Sequence, residues 1–176
     1  MKIALLTVAL LTLPVSGLAA CQLTASQQKI SYGRVSPAER QLAQNGVLAL
    51  PEKNIVINVL CDEPQRIRLM IGSSLPGNGR FALGDEGEMQ IIATSARVDD
   101  RSVHIATVQS ADTAPASGGH EQQEIVLNQG LAFMDGAEVR GKTASVTLVI
   151  RSRLKQTSII EKTTWHGNLN IRLEAQ

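Results

Sequence analysis

Beyond residue 20 the chain is patterned mostly in twos. From Asn54 to Cys61, Ile55, Ile57 and Val59 alternate with Val56 and Leu60. From Arg66 to Ile71, Ile67, Leu69 and Ile71 alternate with Arg66, Arg68 and Met70. Ala144 to Leu154 sets Val146, Leu148 and Ile150 against Thr147, Val149 and Arg151. The cleanest case is Gly167 to Ala175, where Leu169, Ile171, Leu173 and Ala175 alternate with Asn168, Asn170, Arg172 and Glu174. A period of two places alternate side chains on opposite faces, so these segments are predicted strands with one buried face. Shorter candidates are Gln22 to Gln27, Ile30 to Gly33, Phe81 to Leu83, Met89 to Val98, Ser102 to Val108, Ile125 to Asn128 and Leu131 to Met134.

Turn residues punctuate these runs: Ser73 to Gly79, Asp99-Asp100-Arg101 and Gln129-Gly130. Ala111 to Gln123 carries no bulky apolar residue and reads as an exposed loop. Ser36 to Gln44 predicts a helix of one or two turns, with Ser36 as N-cap and Pro37 at the first helical position. No segment has the length of a crossover helix, which disfavours a parallel sheet. Many short strands with turns between them predict an all-β fold, an Ig-like β-sandwich.

The first twenty residues follow a different rule. Lys2 precedes an apolar run from Ile3 to about Leu13, which Pro14 and Gly17 break before the small residues Ala19 and Ala20. Charged start, short apolar core and small-residue end make a secretory signal peptide over residues 1–20, leaving one domain over 21–176. The apolar run falls short of the ~20 residues that span a bilayer. Leu18-Ala19-Ala20-Cys21 also fits a bacterial lipobox, in which Cys21 is lipidated and becomes the first residue. Both readings place the protein outside the cytoplasm.

Lys2 is the only charge in that leader, so 16 of the 17 basic residues remain against 16 acidic ones. Near-neutrality disfavours nucleic acid or an anionic membrane surface as partner. No second apolar segment is long enough to span a membrane. Cys21 and Cys61 are the only cysteines. In an exported chain they pair most simply as one disulfide, and lipidation of Cys21 is the competing use. The three histidines, His104, His120 and His166, have no metal-ligand spacing. Asp85, Glu86 and Glu88 read as a solvated turn, and Gly77-Asn78-Gly79 is too short to cradle a phosphate. No Gly-x-Ser-x-Gly, His-Glu-x-x-His or Walker pattern occurs, so neither an enzyme nor a cofactor is expected. Two Phe, one Tyr and one Trp are too few for an aromatic sugar- or base-stacking platform.

Cys21, then Tyr32-Gly33, then Cys61 at the end of an alternating strand resembles the pilin-like subunits of the bacterial chaperone–usher pathway. Phe81-Ala82-Leu83-Gly84 and the alternating C-terminal strand add to the resemblance, which is to a divergent fimbrial-like branch. The resemblance implies an Ig-like sandwich missing its last strand, with a hydrophobic groove beside Leu169, Ile171, Leu173 and Ala175. It implies a periplasmic chaperone, an outer-membrane usher and other fimbrial subunits as partners. Localisation would be the periplasm and then the fimbrium or cell surface. Two features depart from the pattern. The chain ends Glu174-Ala175-Gln176, without a tyrosine next to last, and no donor segment separates the leader from Cys21. The resemblance therefore implies a subunit that accepts a strand without donating one, as at a fibre tip. The alternative is a periplasmic or outer-membrane lipoprotein with a complete β-sandwich, anchored through Cys21.

Overall fold

A computed structural model describes residues 20–73, 79–84, 87–116, 118–155 and 164–176. The expected leader, most of the Ser73 to Gly79 turn, and Asp85 and Glu86 lie outside these. In chain order the elements are β1 (Cys21–Ala25), β2 (Lys29–Arg34), helix α1 (Pro37–Arg40), β3 (Val47–Ala49), β4 (Lys53–Gly72), β5 (Phe81–Leu83), β6 (Gly87–Val98) and β7 (Arg101–Ser102). There follow β8 (His104–Val108), β9 (Gln122–Ile125), β10 (Gly130–Asp135), β11 (Ala137–Glu138), β12 (Arg140–Lys155), β13 (Thr164–Asn168) and β14 (Asn170–Ala175). Every strand pairing among them is antiparallel. The expected all-β sandwich is what forms.

The organising element is β4, whose 20 residues run through both sheets. Its first half lies between β1 and β12, and β12 continues to β6. Its second half lies between β14 and β10, and β10 continues to β8. The two runs predicted as separate strands are therefore one. The change of sheet falls where the register of β12 jumps from Gln65 to Leu60, and Pro64 sits inside that irregularity. Proline is tolerated there because a bulge leaves its position outside the regular ladder.

Between the sheets the predicted apolar rows meet. Ile55, Ile57 and Val59 of β4, Val146, Leu148 and Ile150 of β12, and Ile91 and Ala93 of β6 face Ile67, Leu69 and Ile71 of β4, Leu131 and Phe133 of β10, and Ile105 of β8; all are buried in one cluster. The opposite row of the first half of β4 keeps Val56 and Leu60 exposed. Ser36 caps α1 as expected: its side chain accepts from the Glu39 amide while the Glu39 carboxylate accepts from the Ser36 amide.

Two short strands, β3 and β11, escaped the periodicity reading, and the strand expected at Ile125 to Asn128 forms earlier, as β9, taking in the end of the expected loop. β3 is only three residues long and pairs with the end of β12. The dipeptide Asn45-Gly46 before it takes φ of 51° and 75°, and Gln44 bridges Val47 across it. Asn-Gly is the preferred sequence for such a turn because both residues must enter the left-handed region.

Asp99 and Asp100 form the matching turn between β6 and β7, with φ of 45° and 62°. The Asp99 carboxylate accepts hydrogen bonds from the amides of Lys142 (3.0 Å) and Thr143 (2.9 Å) and from the Thr143 hydroxyl (3.2 Å). These bonds hold β12 where its register shifts. The Thr143 amide, with help from Lys142 and Arg101, lowers the Asp99 pKa. A lowered folded-state value means the stabilisation is full above the unfolded carboxyl pKa, near 3.9, and is lost as pH falls through the folded value. Asp99→Ala is expected to cost about 1–2 kcal/mol at neutral pH in urea unfolding. Asp99→Asn keeps an acceptor, and should retain part of that stability while flattening its decline in acid.

Candidate functional site

The C-terminal pattern predicts one strand from Gly167 to Ala175, and the chain divides it. β13 pairs with β2, whereas β14 pairs with β4 from Gly72 to Ile67. Leu169 sits between them, fully packed, with its amide bonded to the carbonyl of Gln28. Of the other residues expected at a groove, Ile171 and Leu173 are half-buried against the core and Ala175 is exposed.

Hydrogen-bond parity fixes which edge of β14 is open. Gln176 and Arg66 exchange both backbone bonds, so alternate residues of β14 from that point, Glu174, Arg172 and Asn170, direct their peptide groups at β4. The peptide groups of Ile171, Leu173 and Ala175 point the other way. No strand among the described residues pairs with that side. The Leu169 amide has the same parity, so β2 covers this edge beside β13 and stops where β14 begins. Among the described residues the result is a short free edge whose inward side chains, Ile171 and Leu173, are only half covered.

β1 lies on the same edge of β4, because β12 occupies the opposite one throughout. The carbonyl of Ala20 accepts from Asp62 and the carbonyl of Gln176 accepts from Arg66. The two ends of the described chain thus lie in line along β4, four residues apart in its register. The inward side chains of β1, Cys21, Leu23 and Ala25, are half-buried like those of β14.

Cys21 and Cys61 stand directly opposite each other in the β1–β4 ladder and form a disulfide. Their pair is a non-hydrogen-bonded one, where side chains stand closest. Tyr32 of the Tyr-Gly pair donates its hydroxyl to Ser152 Oγ at 2.9 Å, and burial raises its pKa against the lowering effect of that bond. Gly33 has φ of 66° where β2 meets the bulge between Trp165 and His166, a conformation that favours glycine.

The outer face of the second sheet holds the main surprise. Arg68 was expected on a polar row, yet only 4% of it is exposed. Its guanidinium forks onto Glu138, with Nε to Oε1 and Nη2 to Oε2 both at 2.7 Å. Its Nη1 donates to the carbonyls of Ala111 and Thr113 (2.7 Å to the latter). The segment expected to be an exposed loop is therefore drawn over the sheet, where Met70, Val108 and Ala132 form a small second core. The bond to Glu138 chiefly raises the Arg68 pKa, outweighing desolvation. Arginine at a strand position signals an outward face by default, so no sequence feature marked this burial.

His104 and His120 are exposed, and the buried Nδ1 of half-buried His166 has no hydrogen-bond partner among the described residues. Among the described residues no group of His, Cys, Asp and Glu is arranged to hold a metal. A surface concavity of about 360 Å³ beside β5 and β9 contains the exposed pairs Arg80–Glu88 and, at its rim, Arg151–Glu52. Among the described residues that line it, no nucleophile stands beside a base. No helix among the described residues is long and apolar enough to cross a membrane.

The chain is similar to the uncharacterized protein YhcE of Escherichia coli (strain K12), with 28% identity over 172 residues covering 95% of each chain. That relative's name states no activity. No family model matches the chain.

Reducing the disulfide, which spans 40 residues, is expected to lower stability by about 4 kcal/mol in the chain-entropy model, read as a shift in urea midpoint. Glu138→Ala leaves the Arg68 charge buried and unpaired and should cost about 3–5 kcal/mol. The same variant should expose the amides around Ala116, whose N–H bonds to the Thr107 carbonyl, to faster hydrogen exchange.

Proposed function

We propose that this protein is a fimbrial-like subunit of a chaperone–usher system that accepts a strand along β14. The free edge of β14 above half-covered Ile171 and Leu173 carries the reading. Its outward peptide groups supply a hydrogen-bonding ladder, and the alternate inward side chains set the register of whatever pairs there. These are the two requirements of β-strand addition. On this reading a periplasmic chaperone covers the edge first, and a neighbouring fimbrial subunit replaces it at the usher. The disulfide supports the same reading. It occupies the sulfur that a lipid anchor on Cys21 would need, and it ties β1 to β4 beside the accepting edge.

The accepting stretch is shorter than the resemblance implies. β2 already pairs with β13, so the incoming strand addresses Asn170 to Ala175 and not the whole C-terminal segment. A short ladder fits a partner whose apolar side chains fall at alternate positions over one span of β14.

The test is a thermal melt of the disulfide-intact protein with an extended peptide bearing apolar residues at alternate positions. At about a hundred times its dissociation constant a bound strand stabilises by about 2.7 kcal/mol, raising Tm by roughly 5–10 °C for a domain of this size. The amides of Ile171, Leu173 and Ala175 should gain protection from exchange. An unchanged Tm at saturating peptide, together with no co-purifying chaperone from the periplasm, would overturn the reading.

A further inference from the structure

The exposed sequence of β14 is complementary to itself. Placed antiparallel beside a second copy and centred on Leu173, the strand sets Leu173 against Leu173 of the second copy and Ile171 against Ala175. It sets Arg172 against Glu174, and Glu174 against Arg172. The parity described above makes this register the one the backbone is ready for. Leu173, Ile171 and Ala175 direct their peptide groups at the open edge, so the Leu173 pair and the Ile171–Ala175 pairs become the hydrogen-bonded ones. Arg172 and Glu174 then fall at non-hydrogen-bonded positions, where facing side chains come closest.

We infer that the free edge of β14 pairs with β14 of a second copy of this chain, forming a two-fold dimer with one sheet continuous across both protomers. A two-fold axis normal to the sheet keeps each face in register. The apolar row of Ile171 and Leu173 meets its counterpart on the inner side, and the charges meet theirs on the outer side. Charge complementarity selects the occupant. In the single chain Arg172 Nε and Glu174 Oε1 pair within the strand at 2.8 Å, with the Arg172 side chain 69% exposed. Across the axis each finds the same partner twice over without leaving the surface. An isologous interface of this kind closes at two copies and does not propagate into a fibre through this edge.

The inference rests on the edge and not on the fimbrial reading. A self-paired edge is also hidden, so any other strand that takes β14 must first displace the second copy. Occupancy then depends on protein concentration.

Sedimentation equilibrium over a concentration series should give a reversible monomer–dimer equilibrium for the disulfide-intact protein. Arg172→Glu places like charges opposite each other at both ends of the pair and should weaken the dimer about tenfold or more. Arg172→Glu combined with Glu174→Arg restores opposite charges and should restore dimerisation to near the wild-type constant. Hydrogen exchange on the unmodified protein gives a second reading: Leu173 and Ala175 amides should gain protection as concentration rises, while those of Arg172 and Glu174 stay protected throughout. A protein that stays monomeric at its highest soluble concentration, or a dimer indifferent to Arg172→Glu, overturns the inference. So does a charge-swapped chain that fails to recover. Peptide binding without self-association would sink the dimer and leave the strand-acceptor proposal standing; self-association, with no peptide binding even at concentrations where the protein is monomeric, would do the reverse.

Discussion

A strand has two hydrogen-bonding edges, and in this protein both edges of β4 are claimed along nearly its whole length. One edge carries β12 and then β10, and the other carries β1 and then β14. Because β4 crosses from one sheet to the other at the Pro64 irregularity, those four neighbours are divided between two sheets yet held by one backbone. The inward rows from Ile55 to Val59 and from Ile67 to Ile71 consequently face one another across a shared interior. The disulfide, the two ends of the described chain and the open edge all owe their position to that strand.

Much of this was legible in the alternation. Where one face is buried, the hydrophobic pattern dictates which residues turn inward, and Ile57, Leu148 and Leu169 do so. Turn chemistry was equally readable at Asp99-Asp100, and Asn45-Gly46 carried a usable signal for β3. The disulfide between Cys21 and Cys61 was the simpler of the two uses expected for the two cysteines. Three features were not legible, each for a physical reason. The alternation through Leu169 is uninterrupted, because a change of partner strand need not change which side chains face the core. Pro64 conceals the continuity of β4, since the residue that breaks a ladder also marks a bulge within one. Arg68 shows no sign of burial because the pattern reports the face of a strand and not what folds over it.

The site divides along the same line. That Ile171, Leu173 and Ala175 share one face of the strand could be read from sequence. The extent of the open edge could not, because that depends on β2 beginning only at Lys29 and on the parity that turns the peptide groups of Ile171, Leu173 and Ala175 away from β4. An edge strand is a hazard as well as an opportunity, since unpaired peptide groups will take any compatible partner. This chain limits the hazard by shortness and by alternating Arg172 and Glu174 on the outer face, which ties compatibility to charge order as well as apolarity.

The end-to-end placement of β1 and β14 along β4 has a consequence for the order in which the molecule assembles. β1 can meet β4 once about 60 residues have emerged, but β14 comes far later in the chain and pairs with residues some hundred positions earlier. Long-range pairings of this kind are slow to form because the intervening chain must be ordered before they bring any gain. Until β14 arrives, the second half of β4 presents a bare edge above Ile67, Leu69 and Ile71. A nascent chain of this protein is therefore at its most adhesive just before β14 emerges.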